Sequence, residues 1–168
     1  MKKLHLVILC LSLICIFLPH NVAGKGLMEK ADKVFEQGGY EDPQKFLKAL
    51  NLYKKALKNN PKSYELNWKA ARTCMEYAKY SKRNDLDNWK DISAKYGKKG
   101  MQYAKRAINI EPDKIQGHFF YALNVGRYST GVSFLTAIAE GLKNKTQRHL
   151  RRAYEINKKY KDATPVLA

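Results

Sequence analysis

The sequence predicts an all-α fold of antiparallel helix pairs, and three observations carry that prediction. Two stretches, ALNLYKKALKNNP (Ala49 to Pro61) and GMQYAKRAINIEP (Gly100 to Pro112), write one pattern twice, 51 residues apart. A third, TQRHLRRAYEINK from Thr146 to Lys158, follows it with Lys158 where the others carry proline. Ten positions past each ending comes a small residue: Ala71, Ala122 and Ala168. Composition agrees, since 45% hydrophobic residues with 10 Gly and 5 Pro in 168 describe a globular chain rather than a disordered one.

Residues 1–24 stand apart. Lys2 and Lys3 precede an apolar run from Leu4 to Leu18, followed by Pro19 and the small residues Val22, Ala23 and Gly24, as in a secretory signal peptide cut near Gly24. The run is shorter than the roughly 20 residues that cross a bilayer, which favours a cleaved leader over a retained anchor. Cys10 and Cys15 follow Leu9 and Ile14 rather than the small residue of a bacterial lipoprotein signal, so no lipid anchor is expected. The expected location is periplasmic or secreted. Residues 25–168 then form one domain with a charge of +15, the whole chain's +17 less two lysines. Its single cysteine, Cys74, makes no internal disulfide.

The first predicted helix lies in LMEKADKVFEQGGY, where Leu27, Ala31 and Val34 share a face and Gly38-Gly39 mark a stop. In the second, Ala49, Tyr53 and Ala56 stand four and three residues apart on one face, and Pro61 sits where a helix should end. ELNWKAARTCMEYA, around Ala71, is the third. Gly100, Ala104, Ala107 and Pro112 repeat the second, GHFFYALNVGRY around Ala122 repeats the third, and Thr146, Leu150 and Ala153 close the series. Small residues at these positions let paired backbones approach closely.

The central alanines 31, 71, 122 and 168 are 40, 51 and 46 residues apart. The surplus falls near residues 43–48, 83–94 and 129–141, where longer helices or inserted turns are expected. Within the last insertion, Gly126 and Gly131 each oppose a helix by roughly 1 kcal/mol, which predicts close packing or a turn near Ser129-Thr130. Beyond it, Val132, Leu135, Ala139 and Leu142 recur with helical spacing, offering a cover for the end of a groove or an apolar face for another protein. The sequence stops at Leu167-Ala168, midway through what would be a fourth first-helix, so a truncated fragment is expected.

These features resemble the tetratricopeptide repeat, a helix pair recurring at about 34 residues. The resemblance rests on Ala31, Ala49, Tyr53, Ala56 and Pro61, on Ala71, Gly100, Ala107 and Pro112, and on Ala122 and Ala153. It implies a solenoid of about three helix pairs whose first helices line a concave groove. An exported array with insertions also resembles, more weakly, the periplasmic repeat proteins that accompany TRAP transporters. That resemblance implies a substrate-binding subunit as partner and, as an alternative function, an accessory role in solute uptake.

Three positions before the central alanines stand Met28, Trp68 and Phe119, so the groove should carry an apolar stripe. The residues expected to contact a partner are Trp68, Arg72, Met75, Phe119, Leu123, Arg127 and Tyr128, with Arg72 and Arg127 as anchors for a carboxylate. Trp68 and Phe119 are equally suited to a core beneath neighbouring helices. The face with Met28, Asp32 and Phe119 differs from the basic clamp by which chaperone-binding repeat proteins hold a C-terminal carboxylate.

Positive charge concentrates from Lys143 to Lys161 against a lone acidic residue, Glu155, and basic pairs recur at Lys54-Lys55, Lys105-Arg106 and Arg151-Arg152, expected on the outer surface. Such a face is either simply solvated or drawn to an anionic partner, including peripheral contact with an anionic membrane. Export argues against nucleic acid.

No catalytic residues, cofactor or metal are expected. His118 and His149 have no partners at metal-ligand spacing, Cys74 fits a small buried hydrophobe, and Asp85 and Asp87 fit a loop. The function expected is therefore non-enzymatic binding of a protein or peptide on the concave face. A small-molecule cavity near Trp68, Phe119 and Arg127, and an enzyme with its catalytic part beyond Ala168, are the alternatives.

Overall fold

Among the described residues, 24–158 of this computed structural model, seven helices follow one another and no strand occurs. They are α1 (residues 24–36), α2 (Gln44–Asn59), α3 (Tyr64–Arg83), α4 (Trp89–Ile110), α5 (Ile115–Gly131), α6 (Phe134–Ala139) and α7 (Leu142–Ile156). The leader assigned to residues 1–24 falls almost wholly outside the described residues, as do the apolar ending at Leu167-Ala168 and the last two lysines of the basic run. No described helix is long and apolar enough to cross a membrane.

Local chemistry sets several of the boundaries. Ser63 caps α3 by accepting a hydrogen bond from the Leu66 amide at 3.2 Å, and Ser133 caps α6 through the Thr136 amide at 3.1 Å. Gly141, with φ of +60°, supplies the left-handed turn between α6 and α7. The expected surplus is taken up as anticipated in the second insertion, where α3 and α4 run to 20 and 22 residues. In the third it is taken up by α6.

Successive helices are antiparallel, as paired contacts show. Along α1 and α2, Asp32 meets Tyr53 and Phe35 meets Phe46; along α3 and α4, Asn67 meets Arg106 and Tyr77 meets Tyr96. Along α5 and α7, His118 meets His149 and Tyr128 packs with Leu142. Alternate helices instead run parallel. Asp32 and Phe35 of α1 reach Lys69 and Arg72 of α3, while Trp68 and Ala71 of α3 reach Phe120 and Asn124 of α5.

The predicted crossing positions are the core. Ala31, Ala49, Tyr53, Ala56, Ala71, Ala104, Ala107 and Ala153 are fully buried, and Ala122 and Leu150 nearly so. The closest approach is that of α4 and α5. A Cβ on Gly97 would run into the Tyr128 backbone nitrogen, one on Gly100 into the Asn124 amide, and one on Gly131 into the Ala94 nitrogen and Lys90 carbonyl. Gly131 therefore continues α5 because α4 lies against it. The turn considered near Ser129-Thr130 does not form, and Gly126 faces open space within an unbroken helix.

Candidate functional site

Two surfaces hold the residues with chemistry to offer. The first is where α1, α3 and α5 lie side by side. Trp68 and Arg72 are one turn apart on α3 and both are half-buried. The Trp68 ring stacks on Phe120 at 5.8 Å and 6°, which fixes its plane. The Arg72 guanidinium carbon lies 3.9 Å from the centre of the Phe35 ring and 5.4 Å from that of Trp68, so the cation is held by two aromatic faces. Its Nη2 is 4.0 Å from Glu36, while its buried Nε makes no hydrogen bond.

Arg127 on α5 repeats the situation. Its Nε is also buried without a hydrogen bond, and burial lowers the pKa of its guanidinium, opposed by Glu76 and reinforced by Arg83. An unmet buried donor costs about 1–3 kcal/mol. Between Arg72 and Arg127, Glu76 is paired with Lys79.

The seven predicted contact residues divide between surface and floor. Trp68, Arg72, Leu123 and Arg127 are partly exposed. Met75 and Phe119, at 6% exposure, and Tyr128, at 7%, lie beneath them in the core. Tyr128 is further occupied in donating its hydroxyl hydrogen to Glu140 at 3.0 Å. Asp32 accepts from the Tyr53 hydroxyl at 2.5 Å and from Lys69 at 2.7 Å, which makes it structural. The larger concavities described lie elsewhere, on α7 and around α6.

The second surface is α7 with the end of α5. Here the expectation that the histidines have no companions is overturned: His118 Nδ1 lies 2.9 Å from His149 Nδ1, and the Tyr121 ring centre is 4.1 Å from that of His149. His118 Nε2 is 3.0 Å from the Pro112 carbonyl, which can only accept, so Nε2 carries the proton. In the neutral ring Nδ1 then accepts, and the His149 Nδ1–H donates.

Burial lowers the pKa of both rings. For His118 the Pro112 hydrogen bond and Asp113 oppose the effect while Arg152 adds to it; for His149 the other histidine and Arg148 add, bringing it to about 4. Both are neutral at pH 7. Among the described residues no three His, Cys, Asp or Glu side chains come together as a metal site would need. The signal that could have located the pair is their place in the repeat, since His118 lies four residues before Ala122 and His149 four before Ala153.

Cys74 is fully buried, and desolvation pushes its thiol up to about 12, opposed by Lys99, so it is no nucleophile at neutral pH. The basic pairs at 54–55, 105–106 and 151–152 are exposed.

A family model described as "Regulator of microtubule dynamics protein 1-3" matches residues 27–167. None of the curated proteins compared matches the chain. The family match overturns the expected membership of the tetratricopeptide repeat family and of the TRAP-associated proteins. Small residues at helix crossings are a requirement of close packing in general, so their spacing alone did not single out a family.

Proposed function

The chain belongs to the regulator of microtubule dynamics protein 1-3 family, and on that premise we propose that it is a non-enzymatic helical module that binds an acidic segment of a partner protein and thereby acts on microtubule dynamics. The helix pairs are proposed to stack into a curved solenoid, with α1, α3 and α5 lining its concave face. The observation that carries the reading is the pair of partly exposed guanidiniums, Arg72 and Arg127, each with a buried Nε that has no hydrogen-bond partner. Trp68 beside them supplies a fixed apolar wall, and the chain's charge of +17 draws an acidic partner towards the site.

The test is co-sedimentation of the full chain with microtubules, together with their growth rate, for the natural chain and for Arg72→Ala/Arg127→Ala. Association that falls at least fivefold in the double variant, with helicity unchanged, supports the reading. Association and growth unaffected by the protein would sink it. Contact with microtubules requires the cytosolic side, so the exported location expected from residues 1–24 is the opposing alternative, and locating a C-terminally tagged full chain in cells decides between them.

A further inference from the structure

Exposed apolar side chains and cations without ion pairs lie side by side on α6 and α7. Helix α6 buries none of its residues: Phe134 is 77% exposed, Leu135 76% and Ile138 60%. Its fellow α7 carries Lys143, Arg148 and Arg151, all exposed and without an ion pair among the described residues, whereas Arg152 is held by Asp113 at 2.7 Å and Glu155 at 3.7 Å. Two concavities open between these groups. One, of about 670 Å³, is walled by Phe134, Ala137, Ile138 and Leu142; the other, of about 640 Å³, by Arg148, Arg151 and His149. Asn144 and Gln147 line both, so the two hollows adjoin along α7 and are taken together as a trough, mainly apolar at one end and cationic at the other.

We propose that this α6–α7 trough is a docking site for an amphipathic acidic segment of a partner protein, with large apolar side chains against α6 and carboxylates against Arg148 and Arg151. Charge complementarity selects the occupant. A second copy of a chain at +17 is repelled, and a nucleic acid offers nothing to Phe134, Leu135 and Ile138. A bilayer surface is flat, whereas two joined hollows admit a chain segment.

Acidic groups border the trough. Glu155 lines the cationic hollow, and Glu140, bonded to Tyr128, directly precedes Gly141 of the apolar one. The carboxylates of the guest therefore fall between them. Helix α7 is 15 residues, or about 22 Å, which fits a guest helix of roughly 12 to 15 residues. The residues involved differ from those of the α1–α3–α5 face, so the proposal stands independently of that reading.

Fluorescence anisotropy of the full chain with a labelled 14-residue peptide of glutamate and leucine at helical spacing tests the proposal. Its controls are the same peptide with lysine for glutamate, the same peptide with serine for leucine, and vesicles of phosphatidylserine and phosphatidylcholine. Saturable binding of the glutamate–leucine peptide alone is expected. Arg148→Glu/Arg151→Glu and Phe134→Ser/Ile138→Ser should each weaken it at least tenfold with Tm unchanged, as all four side chains are exposed. Affinity indifferent to both double variants, equal binding of the serine peptide, or binding to vesicles but not to the peptide overturns the proposal.

Discussion

Two joints in the molecule are built on one plan with different chemistry. Six residues after Pro61, Asn67 on α3 turns back to donate to the Pro61 carbonyl at 3.2 Å and the Ser63 carbonyl at 2.8 Å; six residues after Pro112, His118 on α5 donates to the Pro112 carbonyl at 3.0 Å. Each side chain then reaches the next long helix, Asn67 by accepting from Arg106 Nε on α4 at 3.2 Å and His118 through His149 on α7. The first joint is an amide and a guanidinium, neither of which titrates in the physiological range. The second is a pair of imidazoles that holds together only while one nitrogen keeps its lone pair. The same fastening is thus indifferent to acid in one place and sensitive to it in the other.

The largest expected effect lies at the seam between α4 and α5. Gly97→Val would push into the Tyr128 backbone and separate α4 from α5, costing about 3 kcal/mol, read as a lower urea midpoint. Gly126→Ala, facing open space in the same α5, is the control and should stabilise by roughly 0.5–1 kcal/mol. If both glycines respond alike, the close approach of α4 and α5 is wrong.

Breaking the first joint should have the next largest effect. Asn67 is fully buried and joins three partners, so Asn67→Ala is expected to destabilise by about 2 kcal/mol, equally at pH 7 and pH 5. A loss that changed with pH across that range would show that the amide joint is not the acid-indifferent one.

Acid should distinguish the second joint. The folded pKa of His149 lies near 4, below its ordinary 6.5, so in that window the unfolded chain binds more protons. Stability from the pair is full above about pH 6.5 and is lost as pH falls towards 4. In His149→Gln this part of the pH dependence should flatten, a smaller change that urea midpoints at pH 7, 6 and 5 would register. A profile as steep as the natural chain's would remove the histidine pair from the account.

What was legible in the sequence follows from how far each signal extends along the chain. Burial of Ala31, Ala71, Ala122 and Ala153 is written locally, because a small residue with helical spacing can be found within a dozen neighbours. The same logic placed Trp68, Arg72, Leu123 and Arg127 at a partly exposed face. It could not distinguish them from Met75, Phe119 and Tyr128, which are buried. The His118–His149 contact spans 31 positions and depends on the antiparallel register of α5 and α7, which no local pattern states. Gly131 was ambiguous for a related reason: its propensity opposes a helix, and only the approach of α4 explains why the helix persists. The helical spacing read over Val132, Leu135, Ala139 and Leu142 does not describe a single helix: α6 covers only Phe134–Ala139, with Val132 before it and Leu142 opening α7.

Cys74 sits without any solvent exposure near Tyr77, Tyr96 and Tyr103, on the side of α3 that meets α4. In a chain with Cys10 and Cys15 changed to serine, a disulfide reagent added to the native protein would find nothing to attack until those two helices part. The rate of colour development would then serve as a built-in clock for opening of the core, needing no label and no denaturant.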